Sequence, residues 1–107
     1  MPNLDDIMKM AQEAQAELQR AQDKLETIEV EGLAGGGLVN IRATAKGRIL
    51  AVSLDDSVMV VSEKSMCEDL IAAAINDARM KADAAAGIEM HKVTSGMALP
   101  DGFKMPF

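Results

Sequence analysis

The sequence predicts an α+β domain built from a long N-terminal helix, a three-stranded antiparallel sheet, a long C-terminal helix and an ordered hydrophobic tail. Three observations carry this reading. Apolar residues recur every three or four positions from Leu4 to Ile28. Two stretches on either side of Lys46-Gly47 alternate apolar with polar residues, and a second helical period occupies about residues 63–93. Helices segregated at the ends of the chain around consecutive strands indicate α+β rather than a parallel βαβ arrangement.

The first helix is expected over about residues 3–28. Its stripe, Leu4, Ile7, Ala11, Ala14, Leu18, Ala21 and Leu25, steps alternately by three and four. A strict 3.5-residue period keeps one narrow face toward a partner helix, so these seven residues form a candidate dimer seam. Packing of the same stripe on the chain's own sheet or second helix is the competing reading. Asn3 or Asp5 can cap the start, and Asp5 and Asp6 suit the positive end of the helix dipole.

Strands are expected within about residues 29–54. Val30, Leu38, Val39 and Ile41 are strand formers, and Gly35, Gly36 and Gly37 mark a loop or bulge between two strands. This glycine run does not fit a dinucleotide fingerprint, because the third glycine of G-x-G-x-x-G falls at Asn40, and no Walker pattern is present. Val39, Ile41 and Ala43 alternate with Asn40, Arg42 and Thr44. After the turn, Ile49, Ala51 and Ser53 alternate with Leu50, Val52 and Leu54, closing a hairpin.

The second helix begins near Ser62, with Ser65 to Glu68 as an alternative capping box. Cys67, Ile71, Ala74, Ile75, Ala78, Ala82 and Ala85 form its apolar face, and the alanines leave room for another backbone to approach. Gly87 weakens the helix by about 1 kcal/mol relative to Ala, so the segment beyond it is expected to fray or bend before Gly96. The tail, 95–107, holds both phenylalanines of the chain. Phe103, Met105 and Phe107 are expected to dock on apolar surface of the body, with Pro100-Asp101-Gly102 forming a turn.

Size and composition bound what such a chain can do. Its 107 residues make one domain, near the size at which a monomer buries about 60 to 65% of its unfolded surface. Of the 49% hydrophobic residues many are Ala and nine are Met, with no Trp or Tyr. A homodimer is therefore the first expectation. No stretch is apolar enough to span a membrane, the N-terminus lacks the pattern of a signal peptide, and a lone Cys67 fits a reducing compartment, so the cytoplasm is expected. The net charge of -6 argues against coating DNA by bulk electrostatics.

Catalytic constellations are missing from the sequence. His91 is the single histidine and reads as a solvent-facing residue near a helix end. One His and one Cys cannot build a zinc site. The pairs Asp5/Asp6, Asp55/Asp56 and Glu68/Asp69 all lie at element ends, where dipole and capping effects account for them. Neither an enzyme nor a cofactor is expected.

The helix, three strands and long helix, together with particular residues, resemble the YbaB/EbfC family of bacterial nucleoid-associated proteins. The likeness is carried by "LDDIMKMAQEAQAELQRAQDKLETIEVEG", "GGGLVNIRATAKGRILAVSL", "EDLIAAAINDA" and above all "SGMALPDGFKMPF". It covers nearly the whole chain. The resemblance implies an intertwined homodimer whose strands join a central sheet and whose helices project as arms. It also implies a protein of the nucleoid that binds double-stranded DNA with limited sequence preference, with no membrane or small-molecule partner. An interaction scaffold or chaperone-like dimer is the alternative.

DNA binding by an acidic chain requires a local field unlike the net one, which a Debye length of about 8 Å at 0.15 M salt allows. Candidates on the first helix are Lys9, Gln12, Gln19, Arg20 and Lys24, on the hairpin Arg42, Lys46 and Arg48, and on the second helix Arg79, Lys81 and Lys92. For each, the ordinary alternative is a solvated face of mixed charge.

Overall fold

The structure is a computed structural model, and it describes residues 3–95. Helix α1 spans Leu4–Leu25, strands β1, β2 and β3 span Glu29–Ala34, Val39–Thr44 and Ile49–Leu54, and helix α2 spans Lys64–Ser95. Two 3-10 turns, Asp56–Val58 and Val61–Glu63, lead from β3 into α2. The tail residues Phe103, Met105 and Phe107, with the docking expected of them, lie outside the described residues.

Asn3 starts α1: its side chain accepts the Asp6 N–H at 2.8 Å. The helix closes at Leu25, three residues before the expected end. Thr27 turns the chain out of the helix by donating its hydroxyl to the Lys24 carbonyl at 2.7 Å. Ile28 is already committed to the sheet, because its carbonyl accepts the Ala45 N–H at 2.8 Å.

The three strands form one antiparallel sheet in the order β1-β2-β3. Gly35, Gly36 and Gly37 turn β1 into β2 with φ of 63°, 69° and 101°, values that residues with a Cβ rarely adopt. In the second hairpin Arg42 faces Ala51 while Ala43 faces Ile49. Leu50 is thus an extra residue, and the bulge bends β3.

Helix α2 covers β1 and β2 and leaves β3 largely bare. Val39, Ile41 and Ala43 on β2 and Ala74 and Ala78 on α2 are fully buried against one another, with Val30, Ala34, Leu54, Leu70 and Ile71 packed around them. Crossing is closest at Gly32, where an added Cβ would lie 2.2 Å from the Ala74 carbonyl oxygen and 2.6 Å from the Ala78 backbone nitrogen. The alanine row does admit another backbone, and that backbone is the chain's own β1.

Two details of α2 depart from expectation. Its first residue is Lys64, which leaves Ser62 inside the preceding turn and Ser65 inside the helix, so neither serine stands at the cap position. The helix also runs unbroken through Gly87 to Ser95. Nothing lies within 4 Å of where a Gly87 side chain would be, so a propensity cost of about 1 kcal/mol is spread over a long, otherwise favourable segment.

Helix α2 also covers the outer edge of β1. The Leu33 N–H donates to Asp77 Oδ2 at 2.9 Å, and Lys81 Nζ donates to the Glu31 carbonyl at 2.8 Å. Outward-facing backbone groups of an edge strand invite pairing by another chain, and here side chains occupy two of them. Among the described residues no side chain does the same for β3. Val52 on β3 lies opposite the buried Ile41, yet is 52% exposed.

Candidate nucleic-acid interface

Beyond the sheet, the second half of α2 runs beside α1 to form a two-helix arm. Ala21 and Leu25 of α1 and Ala82 and Met90 of α2 are its buried residues. The helices are antiparallel, since Lys24 meets Glu89 while Glu17 and Arg20 share a groove with Lys92 and Val93. Burial along the heptad stripe falls steadily outward: Leu25 and Ala21 are buried, Leu18 and Ala14 half-buried, Ala11 and Ile7 exposed, and Leu4 is 71% exposed. The inner half of the stripe therefore packs on the chain's own α2. Its outer half meets nothing among the described residues.

The cations named from the sequence fall into four sets. Arg20, Lys24 and Lys92 line the groove between α1 and α2. Arg42, Lys46 and Arg48 stand exposed on the second hairpin, whose turn is tied by the Ala45–Ile28 hydrogen bond to the short link between α1 and β1, so this group borders the base of the arm. Arg79 and Lys81 belong to the stretch of α2 that crosses the sheet. Lys9 and Gln12 lie exposed on the outer half of α1.

Several of these groups are already engaged. Arg20 pairs with Glu17 one turn away, and Gln19 donates to Asp23 at 3.0 Å. Lys81 is held by Asp77 at 2.9 Å as well as by the β1 carbonyl. Lys24 and Lys92 both reach Glu89, each at 3.1 Å and each to a different carboxylate oxygen. By contrast, Lys9, Arg42, Lys46, Arg48 and Arg79 form no ion pair among the described residues.

The carboxylates titrate accordingly. Hydrogen bonds from Lys92 and then Lys24 hold the Glu89 carboxyl below its ordinary value. The Leu33 amide, followed by Lys81, does the same for Asp77, and the Ser57 hydroxyl does it for Asp55. Glu89 and Asp77 escaped the sequence reading because their partners on α1 and β1 are far away in the chain. The only local signals were the spacings Glu89–Lys92 and Asp77–Lys81, ordinary i,i+3 and i,i+4 surface pairs.

Among the described residues, no three His, Cys, Asp or Glu side chains converge to hold a metal. His91 is exposed, with Ser95 Oγ 3.4 Å from its Nε2. Cys67 is half-buried on α2. No described helix is long and apolar enough to cross a membrane. What the arm and hairpin can do chemically is present cations at intervals along an extended surface, the usual means of holding a polyanion.

Comparisons with known proteins bear on that surface. Residues 1–97 match the sequence profile of the YbaB/EbfC DNA-binding family. A Rickettsia bellii protein named "Nucleoid-associated protein" is 48% identical over 107 residues, covering all of both chains. A Rickettsia conorii protein of similar name is 43% identical over the same span. In fold, the structure is similar to an uncharacterized Helicobacter pylori protein, HP0035, with a TM-score of 0.76 at 15% identity, covering 88% of this chain and 99% of that one.

Proposed function

The chain belongs to the YbaB/EbfC DNA-binding family, and from that premise we propose that it is a non-enzymatic homodimer that binds double-stranded DNA in the bacterial nucleoid. Its preference for sequence is limited, and its binding influences nucleoid organisation. The observation that carries this reading is the family match over residues 1–97, which spans the arm and hairpin where the exposed cations lie. Long cationic side chains without aromatic neighbours among the described residues suit contact with phosphates more than stacking on bases.

The dimer is supported by what one chain leaves open. Among the described residues, the β3 edge is unguarded, Val52 stands half out of the core face, and the outer stripe of α1 is bare. A second copy pairing through β3 covers the first two, and the stripe Leu4, Ile7 and Ala11 meets another helix. With the thin core expected of this size, burying these surfaces adds the stability that one chain alone lacks.

Anisotropy of a labelled duplex, titrated from about 50 to 200 mM salt, tests the function. If about five phosphates are neutralised, affinity falls several-hundred-fold over that range. An absence of salt-sensitive binding at about 50 mM overturns it. Sedimentation of the same sample tests the dimer, and a monomer at micromolar concentration overturns that part alone.

A further inference from the structure

The groove between α1 and α2 contains an arrangement that the DNA-binding reading leaves unexplained. Glu89 is the deepest charged group there, with its side chain 12% exposed. Its two carboxylate oxygens each hold one ammonium, Lys24 from α1 and Lys92 from its own helix. Those lysines remain 57% and 63% exposed. Two separate ammoniums bridged by two oxygens of one anion is also how a DNA phosphate would engage them.

We propose that Glu89 is the affinity-setting residue of this surface: its carboxylate stands in the place of a backbone phosphate between Lys24 and Lys92. Duplex binding at the groove then exchanges two internal ion pairs for phosphate contacts. This rests on the DNA-binding reading and adds to it a location on the arm and a residue that lowers affinity there.

The alternative role for Glu89 is to hold the two lysines ready for phosphate. The geometry speaks against it. Ammonium groups more than half exposed keep most of their freedom, so the carboxylate fixes them only loosely. Meanwhile an arriving phosphate meets a like charge one ammonium away, and near a protein surface that repulsion is only partly screened. Arg20 beside the groove is likewise paired, with Glu17, so the local field is far weaker than three clustered cations imply.

Duplex anisotropy on the full chain decides the matter. Changing Glu89→Gln keeps the side chain's size and removes its charge. Expected is a tightening of about five- to tenfold at 0.1 M salt, with the salt slope steeper by about one, as for one more phosphate neutralised. Asp69→Asn is the control, about 30 Å away along α2 by the helix rise, and it should change affinity by less than about twofold. Unchanged or weaker binding by Glu89→Gln, or equal tightening by Asp69→Asn, overturns the proposal.

A measurement on the wild type avoids dependence on how the variant folds. The Glu89 side-chain carboxyl carbon, followed by NMR, should move toward the free-carboxylate position when duplex is added. No movement at saturating duplex overturns the proposal even if DNA binding stands. A wild type that binds no duplex at all sinks the function and this reading together.

Discussion

The sheet end and the arm use the same helix α2 in opposite ways. Over the sheet, α2 presses its backbone against β1, with Gly32, Ala74 and Ala78 leaving no space between them. Along the arm the same helix lies beside α1, with Ala82 and Met90 buried and a bridge of charged side chains between the helices. Close packing of small residues makes the first contact rigid, since any added atom meets backbone. The second is light and polar, and its ion pairs can be exchanged for other partners. A rigid anchor over the sheet and a loosely joined arm are thus kept apart along one helix.

The largest expected effect is at the rigid end. Gly32→Val places atoms inside the Ala74 carbonyl, and neither backbone can yield, so about 3 kcal/mol or more of stability should be lost. Urea denaturation measures it, and an unchanged midpoint would show that α2 does not ride on β1. Ile41→Ala opens a cavity in the fully buried cluster and should cost about 2 to 5 kcal/mol. Leu25→Ala at the base of the arm should cost less, about 2 kcal/mol. Equal losses at the two positions would erase the contrast.

Acid sharpens the contrast between the regions. Asp77 and Glu89 have folded values below their ordinary ones, so the unfolded chain takes up protons first as pH falls. Their stabilisation is therefore complete above the ordinary carboxylate range and is lost below about pH 4 as the pH falls through the lowered values. Hydrogen exchange should show the Leu33 amide losing protection in that range, while amides buried with Ile41 stay protected longer. The smallest effect belongs to Lys24→Ala. An exposed ion pair contributes less than about 1 kcal/mol, so thermal melting should barely shift.

How far the sequence revealed these regions follows from the range of each interaction. The α1 stripe and the alternation of Val39, Ile41 and Ala43 were legible because one face of each element repeats locally. The end of α1 was placed late because Ile28 continues the heptad step, although its carbonyl serves the sheet. Ala74 and Ala78 announced a close approach without naming the visitor, since an alanine row accepts a strand or a helix equally. Gly32 carries no periodic signal of its own, yet it is the point of β1 closest to α2. The candidate cations could be enumerated from the sequence, whereas Glu89 could not, because its meeting with Lys24 spans most of the chain.

The graded burial of α1 makes it a lever. Within one chain, and among the described residues, its last firm hold is at Ala21 and Leu25, and Leu4 lies about 25 Å farther out by the helix rise. A tilt of only about 10° at that fulcrum carries the tip roughly 4 Å, more than the spacing of about 3.4 Å between stacked base pairs. Lys9 travels more than half as far as the tip, and Lys24 hardly moves. On the DNA-binding reading proposed above, contacts at the base would hold position along a duplex while those at the tip would follow whatever groove width and curvature they meet. Such an arm is better suited to tracing a backbone than to reading a fixed set of base edges.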